Sequence, residues 1–505
     1  MPSPIICGIE TEYGIFVRGA DLTPMMASSL IVNAYSDEGL ALRVWNFASE
    51  QPDNDALEGW RPEADYPEVE VLMANTVLTN GARFYVDHAH PEVSTPECRS
   101  VSDVVLYDRA AEEIVRKAMD RANRRLPDDV EIVLHKNNSD GKGNSYGCHE
   151  NYLVPRSVPF GTISRFLTTH FITRQVYTGA GKVGTECVRE GEDSVPFQLS
   201  QRADFFEEEI GLETTVRRPI INTRDEPHCD PERWRRLHVI AGDANMSETA
   251  TFLKVGTTAL ILGMIEDGVF PLDLVVEDPV REIRSVSHDP SLRHEVVLED
   301  GRCLTALKIQ QQIHQACSQW FTSLETDPTH GDGDEIIRIW GKVLNDLETD
   351  PLQAADIVDW VAKKRIIDAM QARHGLTSDH ARLRAIDLQY HDLNVSRCLA
   401  LRVGLLTRIQ SENAIAAMST PPHNTRAYFR GRCLQKWAKQ VSSANWDSIV
   451  FDTGGPLLQR VPMMDPFKGT KDLVEVVFSN AKTVNDFLDI LGSDAVENVQ
   501  EDPGW

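Results

Sequence analysis

The sequence predicts a mixed fold of strands and helices, and three observations support that prediction. Two short segments, 5–14 and 81–87, alternate polar and apolar residues with the period of two that strands show. Between 102 and 126, apolar residues recur at the spacing of one helix face. From 303 to 375 the pattern is mostly helical. Alternation of the first kind is typical of antiparallel strands with one solvated face.

Polar residues that could carry chemistry lie on one face of each N-terminal strand. Because strand side chains alternate, Glu10 and Glu12 share a face of the first strand. In the second strand the polar face carries Arg83, Tyr85 and Asp87. Paired carboxylates offer the oxygen ligands that Mg²⁺ prefers. An arginine with an aspartate can bind phosphate and serve acid–base chemistry.

A solvated strand face is the alternative explanation for either segment. For one such strand taken alone it is the better explanation, because any half-exposed antiparallel strand alternates in this way. Gly14 and Gly81 bound the two strands closely, which favours a functional face. The concentration of carboxylates in two short segments favours it too: Glu10, Glu12, Asp87 and Glu92.

Further elements follow in chain order. The patterns predict strands at 131–136 and 151–154, which flank a glycine-rich loop at 137–147, and another strand at 237–241. Ser247 is expected to cap a long helix that has Glu248 in its first turn. Pro421 and Pro422 mark a boundary, after which alternating helix and strand signals predict a small C-terminal domain.

An irregular acidic segment follows the first strand. Between Glu50 and Glu70 there are eight carboxylates against one arginine, with three prolines and no visible period. We therefore expect a long mobile loop over about 36–73. A functional lid and a merely solvated linker are equally compatible with this composition.

Composition restricts the class of protein. The 505 residues include 51 basic and 77 acidic side chains, so the formal net charge is −26. This balance opposes binding to nucleic acid, whose affinity depends largely on Lys and Arg. We expect no nucleic-acid partner, although a local arginine cluster or a Mg²⁺ ion still permits a small phosphate-containing ligand.

Cysteine usage and hydropathy predict a cytoplasmic location. The nine cysteines are widely spaced and form no CxxC pair, so neither a disulfide scaffold nor a structural zinc site is expected. The N-terminus has no basic region followed by an apolar one. The longest apolar stretch, 255–265, is too short to span a bilayer, and we expect a buried helix and no membrane association.

Several familiar catalytic motifs are missing or incomplete. The segment 179–183, GAGKV, lacks the Ser or Thr after its lysine and the upstream glycine of a Walker A loop. A GxGxxG fingerprint is missing where a strand would lead into a helix, and the GxSxG string at 143–147, GNSYG, lies in the loop between two predicted strands and forms no strand-to-helix elbow. His149 stands after the glycine-rich loop at the start of a predicted strand, and His238 stands within one, where a single histidine is more often structural than functional. Cys148 and His149 are neighbours on a strand and point to opposite faces, which disfavours a nucleophile pair.

Long sequence strings support a family resemblance. They are GIETEYG from Gly8, NGARFYVDHAHPE from Asn80, KNNSDGKGNSYGCHENYLV from Lys136, INTRDEPH from Ile221, RRLHVIAGDANMSE from Arg235 and TRAYFRG from Thr425. Through them nearly the whole chain resembles the Pup ligase and depupylase family, a branch of the glutamine-synthetase-like carboxylate–amine ligases. Within that family, VDHAHPE and SDGKG are more similar to depupylases than to ligases.

The resemblance implies a fold class and a domain division. The expected fold is α+β, with a glutamine-synthetase-like, curved and mainly antiparallel sheet that holds Mg²⁺–ATP and is packed by helices. The catalytic domain is expected to cover 1–424, and the small C-terminal domain 425–505. The acidic segment at 36–73 is similar to the lid-like loop of depupylases.

The resemblance also implies roles for single residues. Asp87 matches the catalytic carboxylate of the family. His238 stands where the glutamine synthetase pattern has a metal-ligating glutamate. The predicted metal ligands are Glu10, Tyr85, Glu92, His149 and His238. The predicted nucleotide-binding residues are Gly8, Glu10, Arg83, Ser94, Thr95, Asn245 and Trp446.

The implied activity is deamidation of the C-terminal glutamine of Pup and hydrolysis of the isopeptide bond between Pup and substrate lysines. Asp87 would activate water as a base or attack the carbonyl as a nucleophile, and the sequence leaves both open. ATP would be a bound cofactor. A Pup ligase that consumes ATP is the first alternative. A non-catalytic nucleotide-binding regulator is the second, which the complete set Glu10, Asp87, Glu92 and His149 disfavours.

The resemblance finally implies partners. They are Pup and pupylated proteins, with a functional link to the bacterial proteasome, and the protein is expected to be a monomer.

Overall fold

The computed structural model describes residues 2–36, 41, 42, 45, 46, 54–57, 74–186, 188 and 194–499. Most of the acidic segment at 36–73 lies outside these residues. The prediction of a mobile loop there therefore also lies outside the described residues. The strands are β1 Cys7–Glu12, β2 Gly14–Arg18, β3 Ala41–Leu42, β4 Asn75–Leu78, β5 Arg83–Asp87, β6 His90–Ser94, β7 Glu131–His135, β8 Cys148–Pro155, β9 Lys182–Val183, β10 Phe197–Gln198, β11 Phe206–Gly211, β12 Arg218–Asn222, β13 Trp234–Val239, β14 Glu295–Val297, β15 Cys303–Thr305, β16 Val441–Ala444, β17 Ser448–Phe451, β18 Leu458–Pro462 and β19 Glu497–Val499.

The described residues also form α-helices. They are α1 Pro24–Ser36, α2 Val101–Asn123, α3 Phe160–Thr173, α4 Gln175–Thr178, α5 Glu248–Glu266, α6 Pro279–Ser287, α7 Ala306–Thr322, α8 Gly333–Thr349, α9 Asp359–His374, α10 Ala381–Tyr390, α11 Ser411–Ala417, α12 Arg426–Trp437, α13 Lys471–Asn480 and α14 Val484–Leu491. Ser247 caps α5 as predicted, because its side chain accepts a hydrogen bond from the backbone N–H of Ala250.

A seven-stranded sheet forms the centre of the fold. Its strand order is β13-β8-β1-β6-β5-β4-β3, and each neighbouring pair is antiparallel. Strand β1 lies inside the sheet, between β8 and β6. The predicted mainly antiparallel sheet is thus present, and one smaller pair elsewhere, β11 with β12, is parallel.

The two predicted strand faces are confirmed in β5. Phe84 and Val86 are buried in an apolar core, whereas Arg83, Tyr85 and Asp87 are only partly buried and share the other face. The first predicted segment, 5–14, differs in detail. It divides at the fully buried Tyr13 into β1, which joins the large sheet, and β2, which pairs with β7.

Helices cover the apolar side of this sheet. The largest core joins β1 and β8 to α2, α3, α5, α7 and α8. A second core packs α1 and α2 against the apolar face of β5. Helix α5 is long and apolar enough to cross a membrane, but 89% of its most apolar stretch is buried within the protein. The prediction of a buried helix at 255–265 is confirmed.

The prediction of helices at 303–375 is right except at its start. Cys303–Thr305 is strand β15, paired with β14, and the first helix begins at Ala306. The Thr305 side chain caps that helix by accepting from the backbone N–H of Lys308. A three-residue strand is too short for its period to be separated from an adjoining helix by pattern alone.

The C-terminal segment has a sheet of its own. Strands β16 to β19 form a four-stranded antiparallel sheet, and α12, α13 and α14 share its apolar core. Trp45 also belongs to this core. Two buried arginines join the segment to the body of the protein: the Arg426 Nε lies 2.7 Å from the Glu97 Oε1, and the Arg430 Nη2 donates to the Gly81 carbonyl at 2.8 Å.

Candidate active site

The polar face of the seven-stranded sheet brings the predicted site residues together. Cross-strand register decides which of them meet. On β1, Glu10 lies directly opposite His149 of β8 on one side and opposite Ser94 of β6 on the other. Two residues further along, Glu12 lies opposite Glu92 of β6.

Glu10, His149 and His238 form one group, which we call the histidine group. Their potential ligand atoms all lie within 4.8 Å of one another. The two imidazole rings meet edge to face, with centroids 4.9 Å apart. His238 Nδ1 donates to the Asn151 Oδ1 at 3.0 Å, and the Asn151 amide donates to Glu10 at 2.9 Å. Because Nδ1 is the donor, the lone pair of the His238 imidazole lies on Nε2, where it is available for a metal ion.

Basic side chains balance the negative charge of Glu10 in the histidine group. Burial by itself would raise the pKa of Glu10, but the hydrogen bond with His149 and the positive charge of Arg236 outweigh it and hold the pKa well below the usual range. The Arg236 guanidinium lies 3.6 Å from Glu10. Burial lowers the pKa of His238 well below its ordinary value, so the imidazole is neutral and able to act as a ligand.

Glu12, Asp87 and Glu92 form a second group, which we call the carboxylate group. Their oxygens also lie within 4.8 Å of one another, and Glu12 and Glu92 are buried. Glu12 accepts from the Gly147 backbone N–H at 2.6 Å and lies 3.2 Å from the Nδ1 of His90. The Glu12 carboxylate also faces those of Asp87 and Glu92.

The carboxylate group is electrostatically unbalanced. Burial raises the pKa of Glu92 well above its usual range, and the charges of Asp87, Glu12 and Glu10 raise it further. Like charges directly opposite on neighbouring strands destabilise a sheet. A divalent cation bound among these oxygens would reverse both effects. Three carboxylates whose oxygens crowd one another, with His88 and His90 at the edge of the group, form a donor set that suits Mg²⁺, so the residues present fit that ion.

The predicted metal ligands therefore divide between the two groups. Glu10, His149 and His238 belong to the first, and Glu92 belongs to the second. Tyr85 lies directly opposite Glu92, and its hydroxyl is 3.3 Å from the Ser94 Oγ. Burial raises the pKa of Tyr85 well above its usual range, so the phenol stays protonated.

A cleft with about 600 Å³ of open space, including solvent at its mouth, continues from this polar face. Its size is within the range of small-molecule sites. Five of the predicted nucleotide-binding residues line it: Gly8, Glu10, Ser94, Thr95 and Trp446. A Cβ atom at Gly8 would approach the Thr95 Oγ1 to 3.1 Å, so a larger residue here would have to displace the Thr95 side chain by a few tenths of an ångström.

Arg83 lies beside this cleft and contacts two aromatic rings. Its guanidinium carbon is 4.1 Å from the ring centroid of Trp45 and 4.0 Å from that of Tyr85. The Trp45 ring in turn meets Trp446 edge to face at 5.3 Å. Trp45 comes from the acidic segment, so at least this part of the segment contacts the predicted nucleotide side of the site.

Asn245 lies apart from the cleft, contrary to the prediction. It is 1% exposed, and its amide donates to the Thr178 carbonyl at 2.9 Å and to Asp359 at 3.1 Å. Asp359 also accepts from the Ser247 backbone N–H. Asn245 thus connects the end of β13 with the start of α9, which is a structural position.

Comparison with known proteins settles the family. The sequence matches the family described as Pup-ligase protein over residues 5–450. This chain belongs to that family. It is 48% identical to the depupylase of Acidothermus cellulolyticus over 498 residues, which are 96% of this chain and 98% of the relative. It is 43% identical to the Pup deamidase/depupylase of Mycolicibacterium smegmatis over 501 residues, 96% of this chain and 99% of the relative.

Solved structures of this Pup-ligase family support the fold. The complex between the ubiquitin-like protein Pup and its ligase PafA has a TM-score of 0.78 at 31% identity, covering 97% of this chain and 96% of that one. The structure of PafA in complex with ADP has a TM-score of 0.72 at 35% identity, covering 80% of this chain and 89% of that one. The expected α+β fold of the family is confirmed.

The roles that the resemblance implies leave out Glu12, although the strand pattern pairs it with Glu10 as a source of oxygen ligands for Mg²⁺. Three further polar residues of the site have no predicted role: His90, Asn151 and Arg236. These three reach the site only through the pairing of β6, β8 and β13 with their neighbours, which local patterns do not reveal.

Proposed function

We propose that this chain deamidates the C-terminal glutamine of Pup and hydrolyses the isopeptide bond between Pup and substrate lysines. The observation that carries the proposal is the position of Asp87, at the end of β5, next to two buried carboxylates and on the face that continues into the cleft. Its relatives at 48% and 43% identity bear the names depupylase and Pup deamidase/depupylase.

One site can serve both reactions, because each cleaves an amide at a side-chain γ-carbonyl. Asp87 is the only member of the carboxylate group that is only partly buried, so it is the carboxylate that a substrate can reach. The pKa of Asp87 is lowered, since the hydrogen bond with His88 and nearby positive charges outweigh its burial. An ionised carboxylate can activate water as a base or attack the carbonyl directly.

The proposed Mg²⁺ ligands are Glu10, Tyr85, Glu92, His149 and His238, together with Glu12, which the strand pattern pairs with Glu10 and which lies in the carboxylate group. When bound, the ion would polarise the scissile carbonyl or a phosphate oxygen as a Lewis acid. The chain's own residues have separate tasks. Asn151 orients Glu10 and His238, and the Gly147 backbone N–H fixes Glu12.

The proposed nucleotide site is the cleft lined by Gly8, Ser94, Thr95 and Trp446, with Arg83 beside it. The ADP in the related ligase supports a nucleotide at this fold. Amide hydrolysis in water needs no ATP energy, so we propose that ATP is a bound cofactor here. Asn245 is not part of this proposal.

The second candidate is a Pup–protein ligase. The ligase PafA shares the fold over 97% of this chain, which favours a common site for Pup and nucleotide. A ligase must activate a carboxylate with one ATP per bond formed. The two candidates therefore differ in nucleotide consumption, whereas binding of Pup or Mg²⁺–ATP does not separate them.

The remaining proposals concern context. We propose a catalytic domain over 1–424 and a C-terminal domain over 425–505, with Pup and pupylated proteins as partners and a functional link to the bacterial proteasome. We also propose a monomer in the cytoplasm.

The test is incubation with a pupylated protein and Mg²⁺–ATP. We expect release of the unmodified protein and of Pup, and conversion of Pup ending in glutamine to Pup ending in glutamate. Electrophoresis and mass spectrometry measure both products. Formation of new isopeptide bonds, with stoichiometric ADP, would instead support the ligase.

A further inference from the structure

We propose that His88 is a positioning residue that fixes the carboxylate of Asp87 for its reaction. The inference rests on the proposed function, because it assumes that Asp87 reacts with the γ-carbonyl or activates water. His88 follows Asp87 directly in the chain. Its Nδ1 lies 3.0 Å from the Asp87 Oδ2.

The contact is on the open side of the site. The side chain of His88 is 58% exposed and that of Asp87 is 35% exposed, whereas Glu12 and Glu92 are buried beneath them. A substrate that approaches from solvent therefore meets this pair first. An ionised carboxylate only accepts hydrogen bonds, so the geometry requires that Nδ1 of His88 carry the hydrogen.

The backbone of His88 supports a specific role for its side chain. His88 and Ala89 form the two-residue loop that joins β5 to β6, since Asp87 pairs with His90. His88 has a φ of +48°, in the left-handed region that favours glycine or asparagine. A histidine in a conformation of this kind is worth testing for function. The strain is held from outside, because the Ser28 side chain donates to the Ala89 carbonyl at 2.7 Å.

The neighbours of Asp87 explain why it needs such a partner. Glu12 and Glu92 place two more carboxylates within 4.8 Å of it, and a cation shared among these oxygens would draw Asp87 inward, away from the geometry that the reaction needs. The hydrogen bond from His88 holds Oδ2 at the rim and orients Oδ1 for the reaction. Precise placement of a reacting group is a large part of enzymatic rate enhancement.

Two substitutions separate the side chain from the backbone. The His88→Gly variant suits the positive φ and removes the donor. The His88→Asn variant also tolerates the positive φ, and its amide can donate near the position of the imidazole Nδ1. We expect the Gly variant to lose on the order of 10²-fold in kcat, as for a misplaced reacting group. The Asn variant should recover most of that loss.

The measurements are kcat and KM for deamidation of Pup ending in glutamine, affinity for Mg²⁺–ATP, and melting temperature. KM and nucleotide affinity should match the wild type in both variants, and neither variant should melt earlier. Wild-type kcat in the Gly variant, or equal losses in the two variants, would overturn the positioning role. A fall in nucleotide affinity would overturn it too. An inactive wild-type protein would overturn the proposed function itself.

Discussion

The sheet surrounds the two carboxylates of strand β1, Glu10 and Glu12, with different groups. Glu10 and Glu12 lie two residues apart on one face of the strand. Opposite Glu10 the sheet provides His149, with His238 and Arg236 nearby. Opposite Glu12 it provides Glu92, another buried carboxylate. Basic neighbours neutralise Glu10 in the histidine group, whereas Glu92 in the carboxylate group is surrounded by other carboxylates.

This difference indicates that the carboxylate group, more than the histidine group, needs a bound cation. The pKa of Glu10 is held low by basic neighbours, so this carboxylate is ionised in the free protein. The pKa of Glu92 is raised by burial and by acidic neighbours, so it holds a proton until a cation takes its place. We therefore expect the two groups to respond in opposite directions to substitution and to Mg²⁺.

The largest expected effect is at Asp87, the accessible member of the carboxylate group. Asp87→Asn keeps the shape and removes the base or nucleophile, so kcat for Pup deamidation should fall by at least about 10²- to 10⁴-fold. Affinity for Mg²⁺–ATP should remain near that of the wild type, because Asp87 is not a proposed nucleotide contact. Near-normal turnover in this variant would assign the chemistry to another residue.

The next effect compares Glu92→Gln with Glu10→Gln. Without metal, the raised pKa of Glu92 makes folding at neutral pH require uptake of a proton, so Glu92→Gln should raise the melting temperature, whereas Glu10→Gln breaks favourable contacts and should lower it. Both should weaken Mg²⁺-dependent nucleotide binding by at least about tenfold. Thermal melts and calorimetry with Mg²⁺ or chelator measure these changes. Equal shifts of the two metal-free proteins would remove the distinction between the groups.

Proton release on Mg²⁺ binding also tests the difference between the histidine group and the carboxylate group. The pKa of Glu92 is raised in the metal-free protein, and a carboxyl group must lose its proton to bind a cation. Mg²⁺ binding should therefore be accompanied by proton release and should strengthen as pH rises toward and through that raised pKa. Calorimetry in buffers of different ionisation enthalpy counts the proton. Glu92→Gln should abolish the release, and binding without proton release in the wild type would contradict the assignment.

The smallest effect is expected at Arg236, which supports Glu10 from 3.6 Å without being a proposed ligand. Arg236→Gln should weaken nucleotide binding by less than about tenfold, in the range of a partly exposed ion pair. The exposed Arg233, in the same stretch of chain, provides the matched control as Arg233→Gln. A loss as large as that of Glu10→Gln would show that Arg236 contacts the ligand itself.

How far the sequence predicted this site depends on strand pairing. The period-two pattern correctly placed Arg83, Tyr85 and Asp87 on one face of β5, because face selection is a local property of a strand. It did not reveal that residues 90–94 return as β6. That hairpin sets Glu92 against Glu12, and its register depends on the turn at 88–89 and on contacts distant in sequence.

Family resemblance extended the prediction to His149 and His238, which local reasoning alone would have left as structural histidines. Resemblance was less useful for Asn245. Its string RRLHVIAGDANMSE matches the family, yet the side chain turns inward to Thr178 and Asp359. A sequence string fixes the position of a residue in the fold, whereas the direction of a loop side chain depends on the hydrogen-bonding partners that packing provides.

The measurement that tests the account most directly is the number of Pup molecules processed for each nucleotide consumed. The protein is loaded with one equivalent of Mg²⁺–ATP, freed of excess nucleotide, and mixed with excess Pup ending in glutamine. A hydrolase with ATP as a bound cofactor predicts many deamidated Pup molecules per ADP released. One ADP released for each Pup processed, together with new isopeptide bonds to lysine, would contradict the account and identify a ligase.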